Sequence, residues 1–454
     1  MIALIKIFRK LSFFLLLSLF LLTGCRDKTE IVKEQLTGYS NTFKVINTHE
    51  HQLDPARFGY PEFNYFSLLK NSYLEFDVIS SGGVTMSDSL LKNTTVEKLV
   101  DIYADHLRYS SNTSHAQQFF RGISESYNTE FSGFNKDQII KVSEEIKKNY
   151  LNYPRWFDQN FHKAGFELMM IDQFWPYTFD VDTSYFRLVF NTNQIAYGVT
   201  SVKENGENLL YFTDFLKTKG TDFRIKSLDD YLLYIDYMFA KAKEKNALCL
   251  KNSMAYSRSI DFEEISHEDA DILFDKSPGL SQSEKKSLED FMIHQIIRKS
   301  VEYDLPVQIH AGYLAGNGNL LENSDPMKLN KLFLKYPRAR FVIFHGGYPW
   351  TGEVISLVKM FPNVYLDLVW LPQISVSRAC IAFDEILDCV PYNKIMWGGD
   401  CRFIEESVGS LNFGKEVVIE VLSRRVAGKQ MSLEMAKEIL KKIFRENAAE
   451  LFKI

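Results

Sequence analysis

The chain has 454 residues, 46% of them apolar, enough core material for one large domain with insertions and too long for one small domain. Its formal net charge is −5, with both signs interspersed and no long basic run, which argues against a nucleic-acid partner. Aromatics reach 14%, with 36 Phe and 23 Tyr, and are expected in an aromatic-packed core rather than on a substrate platform.

Lys6, Arg9 and Lys10 precede an almost wholly apolar run from Leu11 to Leu22. A helix of about a dozen residues rises roughly 18 Å, well short of the roughly 30 Å hydrocarbon core. Residues 1–24 therefore read as a signal peptide and not as a membrane span. The segment ends in Leu22-Thr23-Gly24-Cys25, which resembles the lipobox of bacterial lipoproteins. That resemblance implies an exported protein held to a membrane by a lipid on Cys25, on the periplasmic or cell-surface face. Residues 25–42 are mostly polar and read as a tether. The other thiols, Cys249, Cys380, Cys389 and Cys401, are spaced neither as a disulfide framework nor as a zinc site. Cys249 is expected to be buried, Cys401 to be a packed thiol, and a Cys380–Cys389 bridge is left open.

Short apolar runs that end in polar residues mark buried parallel strands. Eight occur between residues 43 and 400: Phe43 to Ile46, Phe76 to Ile79, Phe166 to Ile171, Ala247 to Leu250, Pro306 to Ile309, Phe341 to Phe344, Val364 to Leu368, and Ile395 to Trp397. Helical patterns separate most of them, including Ser287 to Tyr303, Pro326 to Tyr336, Glu353 to Phe361 and Phe383 to Cys389. They continue at Lys415 to Ala427 and Ser432 to Phe452. Eight strand–helix units predict a (β/α)₈ TIM-like barrel over residues 43–454. Two connections exceed the usual length, about 84–165 and 173–245, and are expected as insertions after strands 2 and 3. Tyr185 to Val202, inside the second, is β-like. Insertions there would lie on the top face and shape the active site.

His49 and His51 are two apart at a strand end, where residues i and i+2 point the same way. His310, His345 and Asp400 close the fifth, sixth and eighth runs. In a barrel those ends converge on one rim, and N and O donors of this kind suit Zn²⁺ or a similar divalent metal.

The same residues resemble the amidohydrolase superfamily, specifically its amidohydrolase-2 branch, and within it the domain that some plants and fungi fuse to a glutamine-synthetase-like domain. The likeness is carried by Leu250-Lys251-Asn252-Ser253, Ala255-Tyr256-Ser257-Arg258, Val307-Gln308-Ile309-His310-Ala311-Gly312, Phe344-His345-Gly346-Gly347-Tyr348-Pro349-Trp350, Pro362-Asn363-Val364-Tyr365-Leu366-Asp367 and Met396-Trp397-Gly398-Gly399-Asp400. It is dense from about 247 to 405 and thinner before that. The family often has an acidic residue where this chain has Asn47.

The resemblance implies a metal held by His49, His51, His310 and Asp400, with Asp400 also moving the proton of an activated water. One ion is favoured. His345 is expected as a neutral donor to the substrate carbonyl, or else as a ligand of a second ion. Lys251 is expected to grip a substrate carboxylate with Arg258. A carboxylated Lys251 bridging two ions and a solvated surface lysine are the alternatives. The implied enzyme is a metal-dependent hydrolase cleaving an amide, ester or lactone-like bond of a small polar substrate. A decarboxylase or a uronate-isomerase-like enzyme would use the same ligands. A non-catalytic binding lipoprotein is the remaining alternative.

Overall fold

The computed structural model describes residues 27–52, 63–173, 178–220 and 223–454. The signal peptide and the lipidation residue Cys25 lie outside the described residues. Eight parallel strands pair in sequential order: β1 (Val45–Glu50), β2 (Phe166–Ile171), β3 (Phe186–Asn191), β4 (Cys249–Asn252), β5 (Val307–Ile309), β6 (Phe341–Ile343), β7 (Val364–Asp367) and β8 (Ile395–Met396). Backbone bonds carry β1 past the end of β8, from Thr48 N to Trp397 O, Asp400 N to His49 O and His51 N to Cys401 O. The sheet is thereby drawn into a barrel with helices outside it. Ile46, Leu168, Met170, Val189, Cys249, Val342 and Met396 fill the interior, and the last helix, Asn447–Phe452, closes its floor with Ala448, Leu451 and Phe452.

From β4 onward every expected strand is found to within two residues. The expected second strand is not. Residues 76–79 lie in a helix, Leu74–Ser80, whose buried residues Leu74 and Val78 are four apart. That is a helical spacing, and a four-residue apolar run is too short to distinguish it from a strand. The third expected run is therefore β2, and β3 is the β-like stretch placed inside the second insertion. The first long connection consequently follows β1, and the second lies between β3 and β4. The expected tether is also corrected. Lys28–Ser40 is a helix capped by Asp27, and it packs Leu36, fully buried, against the helix Ile404–Ala427. Cys380 and Cys389 are free thiols on one helix, and Cys249 and Cys401 are buried free thiols. Among the described residues no helix is long and apolar enough to cross a membrane.

The connection after β1 is a stack of helices that leans on Ile404–Ala427. Two glycines let the backbones touch: a Cβ on Gly122 would collide with Glu405 O, and one on Gly409 with Gln118 O. At that crossing the buried Glu405 carboxylate accepts from Tyr127 Oη at 2.8 Å, Tyr150 Oη at 2.9 Å and Trp156 Nε1 at 2.8 Å. A buried carboxyl group with this many donors holds its elements together, because separating them breaks all three bonds where no water replaces them. The helix tied down in this way begins four residues after Asp400.

Candidate metal centre

His49 and His51 leave the top of β1 with their ring centroids 4.8 Å apart. Each ring has one nitrogen already committed. His49 Nδ1–H donates to Gln308 Oε1 across the barrel at 3.1 Å, while Gln308 Nε2 donates to Thr48 O at 2.9 Å. His51 Nδ1–H donates to the Asp172 carbonyl at 3.0 Å. A neutral imidazole with its proton on Nδ1 presents a lone pair on Nε2, the arrangement metal-binding histidines require. Both Nε2 atoms face Asp400 Oδ1, at 3.8 Å from His49 and 3.0 Å from His51. Ligand atoms of these three residues all lie within 4.8 Å of one another.

Charge and burial favour a cation there. Burial alone would push Asp400 up, but without a metal a proton held between it and His51 Nε2, together with the nearby His49 and His345 rings, brings its carboxyl well below the usual range, and a metal cation on the same atoms would take that proton's place. Burial drives His49 well below the usual imidazole range, and the Lys251 charge adds to it. At neutral pH the site therefore offers a carboxylate and an unprotonated ring. Asp400 has φ 59°, a left-handed backbone rare outside glycine and concentrated at functional sites.

His310 is not in that cluster of three. Its Nε2 donates to Tyr313 O at 2.9 Å, and its ring lies 4.3 Å from His345 and 4.7 Å from Tyr256. His345 donates from Nδ1 to Val369 O at 3.1 Å. Burial lowers the His345 pKa to about 4, so the ring is neutral near pH 7 and its Nε2 carries a lone pair. A neutral His345 in this setting cannot donate to a substrate carbonyl through Nε2, which corrects that expectation. His345 Nε2 instead faces His310 Nδ1 at 3.1 Å. The outer nitrogens donate to carbonyl partners, so the two inner nitrogens are placed to share one proton or one cation.

Lys251 is buried, and its Nζ lies 3.1 Å from His49 Nε2 and 4.0 Å from the centre of the Phe344 ring. Burial lowers its pKa, with Asp400 and Asp172 opposing. It points into the centre and is not a solvated strand-end lysine. Arg258 does not accompany it. Its guanidinium is tied to Asp290 and, at 2.9 Å, to Glu289, both on the helix Gln282–Glu302. The expected partnership of the two cations on one carboxylate is thus absent from this arrangement.

Residues 267–454 match the amidohydrolase family model. Over 178 residues the chain is also 29% identical to protein fluG of Emericella nidulans, a match covering 38% of this chain and 20% of that protein. Among solved structures, glucuronate isomerase from Caulobacter crescentus superposes with a TM-score of 0.73 at 16% identity, over 95% of this chain and 95% of that one. A Lactobacillus casei protein described as a metal-dependent hydrolase gives a TM-score of 0.62 at 16% identity, over 92% and 97% of the two chains. At these identities the superpositions show a shared fold.

Sequence reasoning passed over Gln308, Asp172, Glu50, Asp367 and Tyr73. Gln308 had a signal, since it stands two residues before His310 and so faces the same interior. Asp367, at the end of β7, accepts from Thr48 Oγ1 at 2.5 Å and from Val369 N at 2.9 Å, joining the strand of the paired histidines to the carbonyl that fixes His345. Tyr73 gave no signal. It comes from the helical connection, and its Oη donates to Asp400 O at 2.6 Å.

Proposed function

We propose that this chain is a metal-dependent hydrolase in which His49, His51 and Asp400 hold one divalent ion, with Zn²⁺ the best match to two nitrogen donors and a carboxylate. The observation that carries this is the orientation of the two rings, whose Nδ1–H groups are spent on Gln308 and Asp172 so that both Nε2 lone pairs face Asp400. A divalent metal there supplies a Lewis acid that polarises a substrate oxygen and acidifies a water. Asp400, held ionised, takes the proton of the attacking water and returns it to the leaving group. Gln308 and the Asp172 carbonyl keep the two rings from turning. Lys251 offers the substrate a buried ammonium for an anionic group. Where the lysine is carboxylated instead, His310 Nδ1 and His345 Nε2 provide the other half of a second ion site. The substrate is a small polar molecule, and the lipid expected on Cys25 would hold the enzyme at a membrane surface after export.

A second reading is isomerisation of a sugar acid. It is favoured by the breadth of the Caulobacter superposition, which takes in 95% of this chain. Metal analysis of the purified protein, followed by turnover of a panel of amides, lactones, uronates and aromatic acids, tests both. Stoichiometric zinc with amide, ester or lactone cleavage supports the hydrolase. Turnover confined to uronate isomerisation, or to decarboxylation of the aromatic acids, overturns it. Absence of any bound divalent metal points to a binding lipoprotein.

A further inference from the structure

The paired-histidine stretch of β1 carries two residues that ligate nothing, Asn47 and Glu50. We propose that they are positioning residues, a donor–acceptor pair that clamps the Asp400 turn in register with His49 and His51. This rests on the metal reading of the site.

The clamp grips the peptide on both sides of Asp400. Asn47 Oδ1 accepts from Gly399 N at 2.8 Å, and a Glu50 carboxylate oxygen accepts from Cys401 N at 2.7 Å. The two side chains are joined, Asn47 Nδ2 donating to Glu50 Oε1 at 2.5 Å. The Asp400 peptide groups are fixed as well, N to His49 O at 2.8 Å and O from Tyr73 Oη at 2.6 Å. A left-handed aspartate is strained and persists only where its surroundings over-determine it. Here four bonds do so.

The glycines before Asp400 record the same fit. A Cβ on Gly399 would strike Glu50 Oε1, and one on Gly398 would stand 2.5 Å from Thr48 Oγ1. Residues 47–51 and 398–401 are therefore one interlocked unit, with ligands and clamp alternating along β1. Both Asn47 and Glu50 are fully buried, so no solvent replaces a lost bond.

The pair has an order. The hydrogen bonds from Asn47 Nδ2, Gln52 Nε2 and Cys401 N all run toward Glu50 and oppose the burial that pushes its carboxyl up to about 8, so the ionised side chain at position 50 accepts on both oxygens. An amide at position 50 would set one NH₂ against another donor. Moving the carboxylate to position 47 removes that conflict. The carboxylate still accepts from Gly399 N, its second oxygen accepts from the amide now at position 50, and that amide's oxygen accepts from Cys401 N. Glu50→Gln should therefore break the clamp, and Asn47→Asp combined with Glu50→Gln should restore it. Glu50→Asp keeps the carboxyl group but shortens the reach to Cys401 N, so it separates the clamp from the mere presence of an acid at this position.

The test loads wild type and the three variants with Co²⁺, and reads the dissociation constant and the visible ligand-field spectrum, with circular dichroism and thermal melting reporting the fold. Partners of metal ligands are worth about 10–100-fold in affinity. Glu50→Gln and Glu50→Asp should each weaken cobalt binding by about that factor and alter the spectrum, and the double variant should regain most of the affinity and the wild-type spectrum. Full cobalt affinity in Glu50→Asp, or a double variant no better than Glu50→Gln, overturns the clamp. If a single variant fails to fold, a folded cobalt-binding double variant supports the pairing and an unfolded one overturns it. A wild-type protein that takes up no cobalt overturns the metal reading itself.

Discussion

The two halves of the barrel were built by different means. From β5 to β8 the connections are shorter than those after β1 and β3, and each apolar run expected there as a strand is one. Between β1 and β4 the same sheet is interrupted by a helical stack after β1 and a second helical excursion after β3. The proposed metal centre draws on both halves, since His49 and His51 come from the first and Asp400 from the second. A readable local pattern can supply ligands, while a long connection with no readable pattern can supply what holds them, as Tyr73 does for Asp400.

The largest effect should come from the joint between the halves. Asp400→Ala removes the one carboxylate shared by both histidines. Bound metal, measured by elemental analysis, and turnover should each fall by well over the roughly 100-fold that mark outer partners. Retention of metal by this variant would show that the two half-barrels do not share a single centre.

Glu405→Leu breaks the contact between the helical stack and Ile404–Ala427. It removes the carboxyl group to which Tyr127 Oη, Tyr150 Oη and Trp156 Nε1 all donate. Urea unfolding should show a loss of about 3–5 kcal/mol. Limited proteolysis should cut within the connection after β1 before it cuts between β5 and β8. An unchanged midpoint would mean that the stack stands by its own packing.

A smaller effect is the dependence on pH at the same crossing. Burial pushes the Glu406 carboxyl up to about 8, against the hydrogen bond and charge of Arg402. The folded protein thus holds this proton over a window in which the unfolded chain, with an ordinary glutamate pKa near 4.5, has released it. The stabilising effect is full below about pH 4.5 and lost as pH rises through about 8, with a slope of at most about 1.4 kcal/mol per pH unit. Glu406→Gln should flatten that part of the stability profile measured by urea unfolding between those limits. A profile as steep as wild type would assign the slope to other groups.

The smallest effect on activity is expected at Arg258, which belongs to the β4–β5 side. Arg258→Met should leave kcat and KM within about twofold, because the guanidinium is engaged by Glu289 and Asp290, while stability falls by about 1–3 kcal/mol. A KM raised more than tenfold with kcat unchanged would return Arg258 to the substrate.

Much of this was legible in the chain itself. The eight-stranded barrel, the late strands to within two residues, and the convergence of His49, His51 and Asp400 follow from apolar period, strand ends and the alternation of side chains, which are local properties. Tertiary structure decided the rest. Whether Phe76–Ile79 is strand or helix depends on which face finds a partner, and Leu74 and Val78 found one. Where a histidine's proton resides depends on the acceptor opposite, so Val369 O sets the tautomer of His345 and Gln308 that of His49. The direction of Arg258 was set by two carboxylates on a helix more than twenty residues along the chain. Sequence spacing places a side chain on a rim, but burial and the hydrogen-bond partners brought there by the fold determine its charge, its tautomer and its neighbours.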